Sequence, residues 1–141
     1  AHPMSTEREP PAERFAVDSM TLDFRAELAA LRAETTPAAH GRRQKTLFKH
    51  AGRTIALFVM DAGAALQEHD AAGTVTIQPV EGELIATVQG KEQRLRTGQI
   101  LVLQPRVRHS IRADAPSAFL LQISLEHGNP HRLNRPRSDD G

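Results

Sequence analysis

Gln67-Glu68-His69, then Val80-Glu81-Gly82-Glu83-Leu84, then Thr97-Gly98-Gln99-Ile100-Leu101-Val102-Leu103-Gln104-Pro105, and finally Val107-Arg108-His109 make up the stretch that decides the fold. The run Ile100 to Leu103 is apolar throughout, which is the pattern of a strand covered on both faces. Gly98 stands just before it and suits a tight turn, because only glycine enters left-handed backbone space without steric cost. Gln67 and His69 stand two apart, so a regular strand would turn both side chains to the same face.

The chain on either side of these segments has the same grammar. Short extended runs cover Gln44–Lys49, Thr54–Met60, Ala65–Glu68, Thr74–Val80, Glu83–Gln89, Glu92–Arg96, Ile100–Leu103, His109–Arg112 and Phe119–Leu125, separated by Gly, Asp and Pro signals. Gln89-Gly90-Lys91 reads as a hairpin turn. Nine short strands with no helix among them need two facing sheets or a closed barrel to manage their edges. The expected architecture is therefore an all-β barrel over about residues 44–125, and a double-sheet jelly roll is one form of it.

Upstream the hydrophobic period changes. Phe24, Leu28 and Leu31 recur on one helical face, Thr21 is placed to cap the helix, Asp23 falls in its first turn, and Thr35-Thr36-Pro37 ends it. The spacing predicts one amphipathic helix near 21–34, with its stripe packed on the body of the domain. Residues 1–18, rich in Pro, Glu and Arg, are expected to form a mobile arm, residues 19–125 a single domain, and residues 126–141 a mobile tail.

Composition narrows the class. A chain of 141 residues with 39% hydrophobic content has room for one core. A formal charge of +1 gives no electrostatic case for nucleic acid as a partner. The absence of Cys excludes disulfides, thiolate metal sites and a Cys nucleophile, and it fits a cytoplasmic protein. No apolar run reaches the roughly 20 residues that span a bilayer, so no membrane role is expected. Met4 reads as the natural start, with Ala1-His2-Pro3 an addition, so His2 is left out of the chemistry. The excess of Arg over Lys and the abundance of Ala point to a GC-rich bacterial gene. Neither a Gly-x-Ser-x-Gly elbow nor a Gly-rich phosphate loop is present, which disfavours nucleotide chemistry and a serine nucleophile.

Taken together, the quoted segments resemble the two-motif signature of the cupin superfamily, in its small, single-domain, RmlC-like form. The family's first motif ends His-x-His, three or four residues, Glu, six residues, Gly. Its second runs Gly, five residues, Pro-x-Gly, two residues, His, three residues, Asn. Here Gly98 is followed by Gln104 in the proline position, Arg106 in the glycine position, His109 in the histidine position and Ala113 in the asparagine position. His69 and Gln67 fall on the two histidines of the first motif. Counting back from Gly82 puts Val75 in the glutamate position, while counting forward from His69 reaches Thr74. The resemblance implies a double-stranded β-helix with a degenerate metal site, held by His69, His109 and Gln67 and suited to Fe, Mn, Ni, Cu or Zn. Two imidazoles and an amide oxygen are poorer ligands than the family's three imidazoles and carboxylate.

Other polar residues carry less. Gln78 should face away from the pocket by strand parity, and Glu68, Glu81 and Glu83 read as solvated acids. Phe48, Phe58, Met60 and Phe119 read as core or pocket wall. His40, His50, His127 and His131 fall on no motif position, and Gly128 and Pro130 rule out a helical pairing of the last two.

Three functional readings remain: a metal-dependent oxygenase, isomerase or lyase acting on a small organic molecule, a small-molecule binding or sensing module that has lost its metal, and a metal-free enzyme with a histidine base oriented by Asp70 or Asp61. No catalytic residue is assigned. Ile55–Met60 and Phe119–Ile123 are apolar on both faces, more than one barrel interior requires, so one face is expected to cover a subunit partner or the helix, and a homodimer is expected.

Overall fold

The structure, a computed structural model, describes residues 18–125, so the expected arm (apart from Asp18) and the expected tail lie outside the described residues. One helix, α1 (Phe24–Arg32), precedes nine strands: β1 (Arg42–His50), β2 (Arg53–Met60), β3 (Ala65–His69), β4 (Gly73–Glu81), β5 (Glu83–Val88), β6 (Lys91–Arg96), β7 (Leu101–Leu103), β8 (His109–Arg112) and β9 (Ser117–Leu125). They form a five-stranded sheet in the order β1-β2-β9-β4-β7 and a four-stranded sheet in the order β3-β8-β5-β6, with every pairing antiparallel. This is the expected jelly roll.

Alternation along the strands builds the interior. Ala56, Phe58 and Met60 of β2, Val75 and Ile77 of β4, and Phe119 and Leu121 of β9 meet Leu84, Ala86, Leu95 and Ile111 of the opposite sheet in one apolar cluster. At its centre Phe58 and Phe119, opposite one another in the β2–β9 register, stack with ring centroids 4.8 Å apart.

The other face of β2 and β9 packs against α1. Leu28 and Leu31 pack with Leu47, Leu57, Ala118 and Leu120 in a second cluster. The double-sided apolarity of these strands is thus met within the chain, at least where the helix lies. Two details of the expected helix are corrected. Asp23, not Thr21, is the N-cap, and its carboxylate accepts from the Ala26 N–H at 3.1 Å. Phe24 remains 39% exposed, because a stripe of Leu28 and Leu31 already fills the contact with the sheet.

The motif glycines occupy the positions that need them. Gly98 has φ +96°. Gly82 has φ +74°, and a Cβ there would lie 2.7 Å from the Pro116 carbonyl oxygen and 2.6 Å from Ser117 Oγ, so the β4–β5 turn closes against the start of β9 only with glycine.

Candidate functional site

His69 ends β3 and His109 opens β8, and the two are register partners across that pair of strands. Their ring centroids lie 4.3 Å apart with the planes tilted by 59°. His109 is 1% exposed and shares its face of β8 with Ile111, a member of the interior cluster, so the pair sits at one end of the barrel interior. Val88, the register partner of His109 on β5, packs against the same interior cluster, as do Ala71 and Val107.

Both rings are oriented by backbone carbonyls. His69 Nδ1 lies 2.7 Å from the Gln67 carbonyl oxygen, and His109 Nδ1 lies 2.9 Å from that of Val107. A carbonyl only accepts, so each Nδ1 carries a proton and donates it, and in the neutral form of either ring the lone pair is then on Nε2. His109 Nε2 is buried and has no hydrogen-bond partner. A buried acceptor left without a partner is costly, and it is the atom a ligand would use.

Burial pushes the His109 pKa below the ordinary 6.5. The Nδ1 bond to Val107 and the charge of Asp70 act in the opposite direction, His69 adds to the lowering, and the net shift is downward. Below 6.5 the unfolded chain therefore takes up a proton that the folded chain refuses. This contribution is present in full above the unfolded value and is lost as pH falls from 6.5 through the folded pKa. Denaturant unfolding across that window will show a stability advantage of wild type over His109→Gln that shrinks as pH falls and levels off once the folded value is passed.

Gln67 is not where strand parity put it. Leu66 pairs with Ile111 and His69 with His109, so two residues, Gln67 and Glu68, stand opposite Ser110 alone. This β-bulge turns Leu66 and His69 to the interior and leaves Gln67 exposed, bordering an open groove with Glu68, Thr87 and Arg112. Gln67 holds the site through its backbone carbonyl, a role parity could not reveal. Glu68, also exposed, pairs with Arg108.

Of the two positions for the family's glutamate, Val75 is 3% exposed in the interior cluster, and Thr74 lies on the opposite face of β4 beside Thr76 and Gln122. Neither supplies a carboxylate. Gln78 faces outward as expected, beside Phe24 and Val80. Among the described residues no group of three or more His, Asp and Glu side chains is placed to hold a metal.

The spacing of the pair suits two adjacent positions of a six-coordinate metal. Two imidazoles bound at right angles to one metal, with bonds of about 2.1 Å, place their centroids about 4.6 Å apart. The observed 4.3 Å is close to this, and backbone-anchored Nδ1 groups are what histidine ligands use to fix their tautomer.

Comparison with known proteins bears on the fold. No family model matches the chain, and no curated protein matches it in sequence. Solved structures do. A conserved protein of unknown function from Streptococcus pyogenes superposes with a TM-score of 0.64 at 17% identity, over 86% of this chain and 100% of that one. A cupin superfamily protein from Desulfitobacterium hafniense gives 0.59 at 18% identity, over 60% and 78%. KdgF from a Halomonas species gives 0.59 at 19% identity, over 70% and 92%. The fold is that of a small cupin domain. Among the described residues no helix is long and apolar enough to cross a membrane.

Proposed function

We propose that the protein binds a small molecule at the barrel end that holds His69 and His109, where the two imidazoles would hold a divalent metal. The observation that carries this reading is the buried, unpartnered Nε2 of His109 beside a second histidine whose Nδ1 is likewise committed to the backbone. A bound metal supplies Lewis-acid character to a ligand oxygen. The chain's own groups disfavour protonation of His109 by burial and orient both rings through backbone carbonyls, while Ala71, Val88 and Val107 pack against the interior cluster nearby. With two protein donors the remaining positions fall to water or to the small molecule itself, and affinity is lower than for a full ligand set.

The test is to incubate the protein separately with Fe, Mn, Ni, Cu and Zn, remove the excess, and measure metal per chain for wild type and for His69→Ala. Retention that depends on His69 supports the reading. A second reading, a binding or sensing module without metal, is favoured by the count of two donor side chains. In that case His109 Nε2 accepts a hydrogen bond from the ligand directly, and no metal is retained.

We also propose that two copies pair through the outer face of the five-stranded sheet that α1 leaves uncovered. Ile100 and Val102 are 50% and 57% exposed there, beside Phe48, Ile55, Thr74, Thr76 and Gln122. The outer side of the other sheet carries ion pairs instead, Glu83 with Arg94 and Arg96, and Arg112 with Glu92 and Asp114. Light scattering at micromolar concentration will give a dimer mass, and Val102→Lys will give a monomer mass. A wild-type monomer would refute the pairing.

A further inference from the structure

Four residues other than glycine take positive φ among the described residues: His40 at 56°, Ala51 at 52°, Gln89 at 51° and Arg106 at 68°. The first three each precede a glycine of positive φ and sit at the tip of a two-residue hairpin, between Ala39 and Arg42, His50 and Arg53, and Val88 and Lys91. Such turns require both residues to be positive, and the glycine carries the harder half. Arg106 has no such setting. It is the third residue of the turn Gln104-Pro105-Arg106-Val107, closed by the Val107 N–H donating to the Gln104 carbonyl at 3.3 Å. Proline second and positive φ third is the type II pattern, whose third position favours glycine or asparagine. An arginine there bears the full cost of left-handed backbone, and nothing in the turn itself repays it.

The position is close to the histidine pair. The Arg106 N–H donates to the Ala71 carbonyl at 2.7 Å, which ties the turn to the segment leaving His69, and His109 follows three residues later. Val107, next in the turn, packs against the interior cluster, as do Ala71 and Val88, and Val88 is the register partner of His109.

The guanidinium is uncommitted. Arg108, two residues on, is engaged by Glu68 at 3.3 Å and Asp70 at 3.9 Å. Arg32, Arg43, Arg94, Arg96 and Arg112 each have a carboxylate partner as well. Exposed Arg106 forms no ion pair with any described residue. The nearby carboxylates, Glu68 and Asp70, are both engaged by Arg108, so Arg106 is the cation left without a partner beside the histidine pair among the described residues.

We infer that Arg106 is the specificity-determining residue of this site and receives an oxyanion, carboxylate or phosphate, of the small molecule held at His69 and His109. The inference rests on the histidine pair being the ligand site. Guanidinium offers the planar, two-pronged contact that such anions match, which accounts for an arginine in a position that suits glycine.

Malonate and inorganic phosphate are the probes, titrated calorimetrically into the full chain with and without Zn. Arg106→Gly removes the left-handed cost, so its melting temperature will equal or exceed that of wild type, and any loss of binding is then not a loss of fold. The expected result is that at least one anion binds wild type, about tenfold or more weaker in Arg106→Gly, with Arg106→Lys between the two. Which anion binds separates the carboxylate from the phosphate source. Equal binding by wild type and Arg106→Gly, or no binding of either anion with or without Zn, overturns the inference. Binding that is lost in Arg106→Gly but kept in His109→Ala overturns the histidine reading instead and leaves Arg106 as an anion site in its own right.

Discussion

Replacing Phe119 by alanine will destabilise the protein by about 3–5 kcal/mol, a large part of the 5–15 kcal/mol that holds a typical domain together. Phe119 is fully buried, lies on the central strand of the five-stranded sheet between β2 and β4, and stacks on Phe58. Truncation removes the stacking partner and opens a void against Ile77 and Leu121 that strands pinned on both sides close only in part. Phe119→Leu, which keeps most of the volume, will cost less than half as much. Urea unfolding of the three proteins reads this directly, and equal midpoints for wild type and Phe119→Ala would contradict the packing described for the barrel.

Replacing His109 by alanine will lower zinc affinity by more than about 100-fold, since loss of an outer partner of a metal ligand already costs 10–100-fold and this change removes a donor outright. His69→Ala will have the same effect. The structural cost will be smaller than for Phe119→Ala, because the substitution deletes a buried nitrogen that has no partner along with the packing it loses. Calorimetric titration together with thermal unfolding separates the two effects. Variants that keep wild-type affinity would show that bound zinc lies elsewhere, and His127 and His131 in the segment beyond residue 125 are the control positions for that outcome.

The parts of this molecule that could be read from its sequence are those set by local rules. Alternation and turn residues located the nine strands, because each run of side chains must choose faces whatever its partner. Gly98 was legible as a turn glycine, and the assignment of Arg106 to a glycine position agrees with its φ of 68°. His69 and His109 were picked out by motif spacing, and the fold makes them register partners. What escaped depends on pairs of segments. The bulge at Gln67 and Glu68 exists because β3 carries one residue more than β8 between two pairings, and neither strand alone records that. Extrapolated parity therefore turned Gln67 inward when only its carbonyl serves the site. Thr21 and Asp23 are both competent caps, and the choice between them follows from where the helix meets the sheet through Leu28 and Leu31. The extra apolar face of β2 and β9 was visible, while its division between helix and open surface was not.

The central claim is that the Nε2 atoms of His69 and His109 form one ligand site, and nitrogen-15 NMR of the histidine side chains tests it most directly. In the metal-free protein both rings should show the proton on Nδ1, and stepwise addition of zinc should shift both Nε2 resonances together with a single midpoint. A proton on Nε2 of His109, or a zinc response at one ring without the other, would contradict the account.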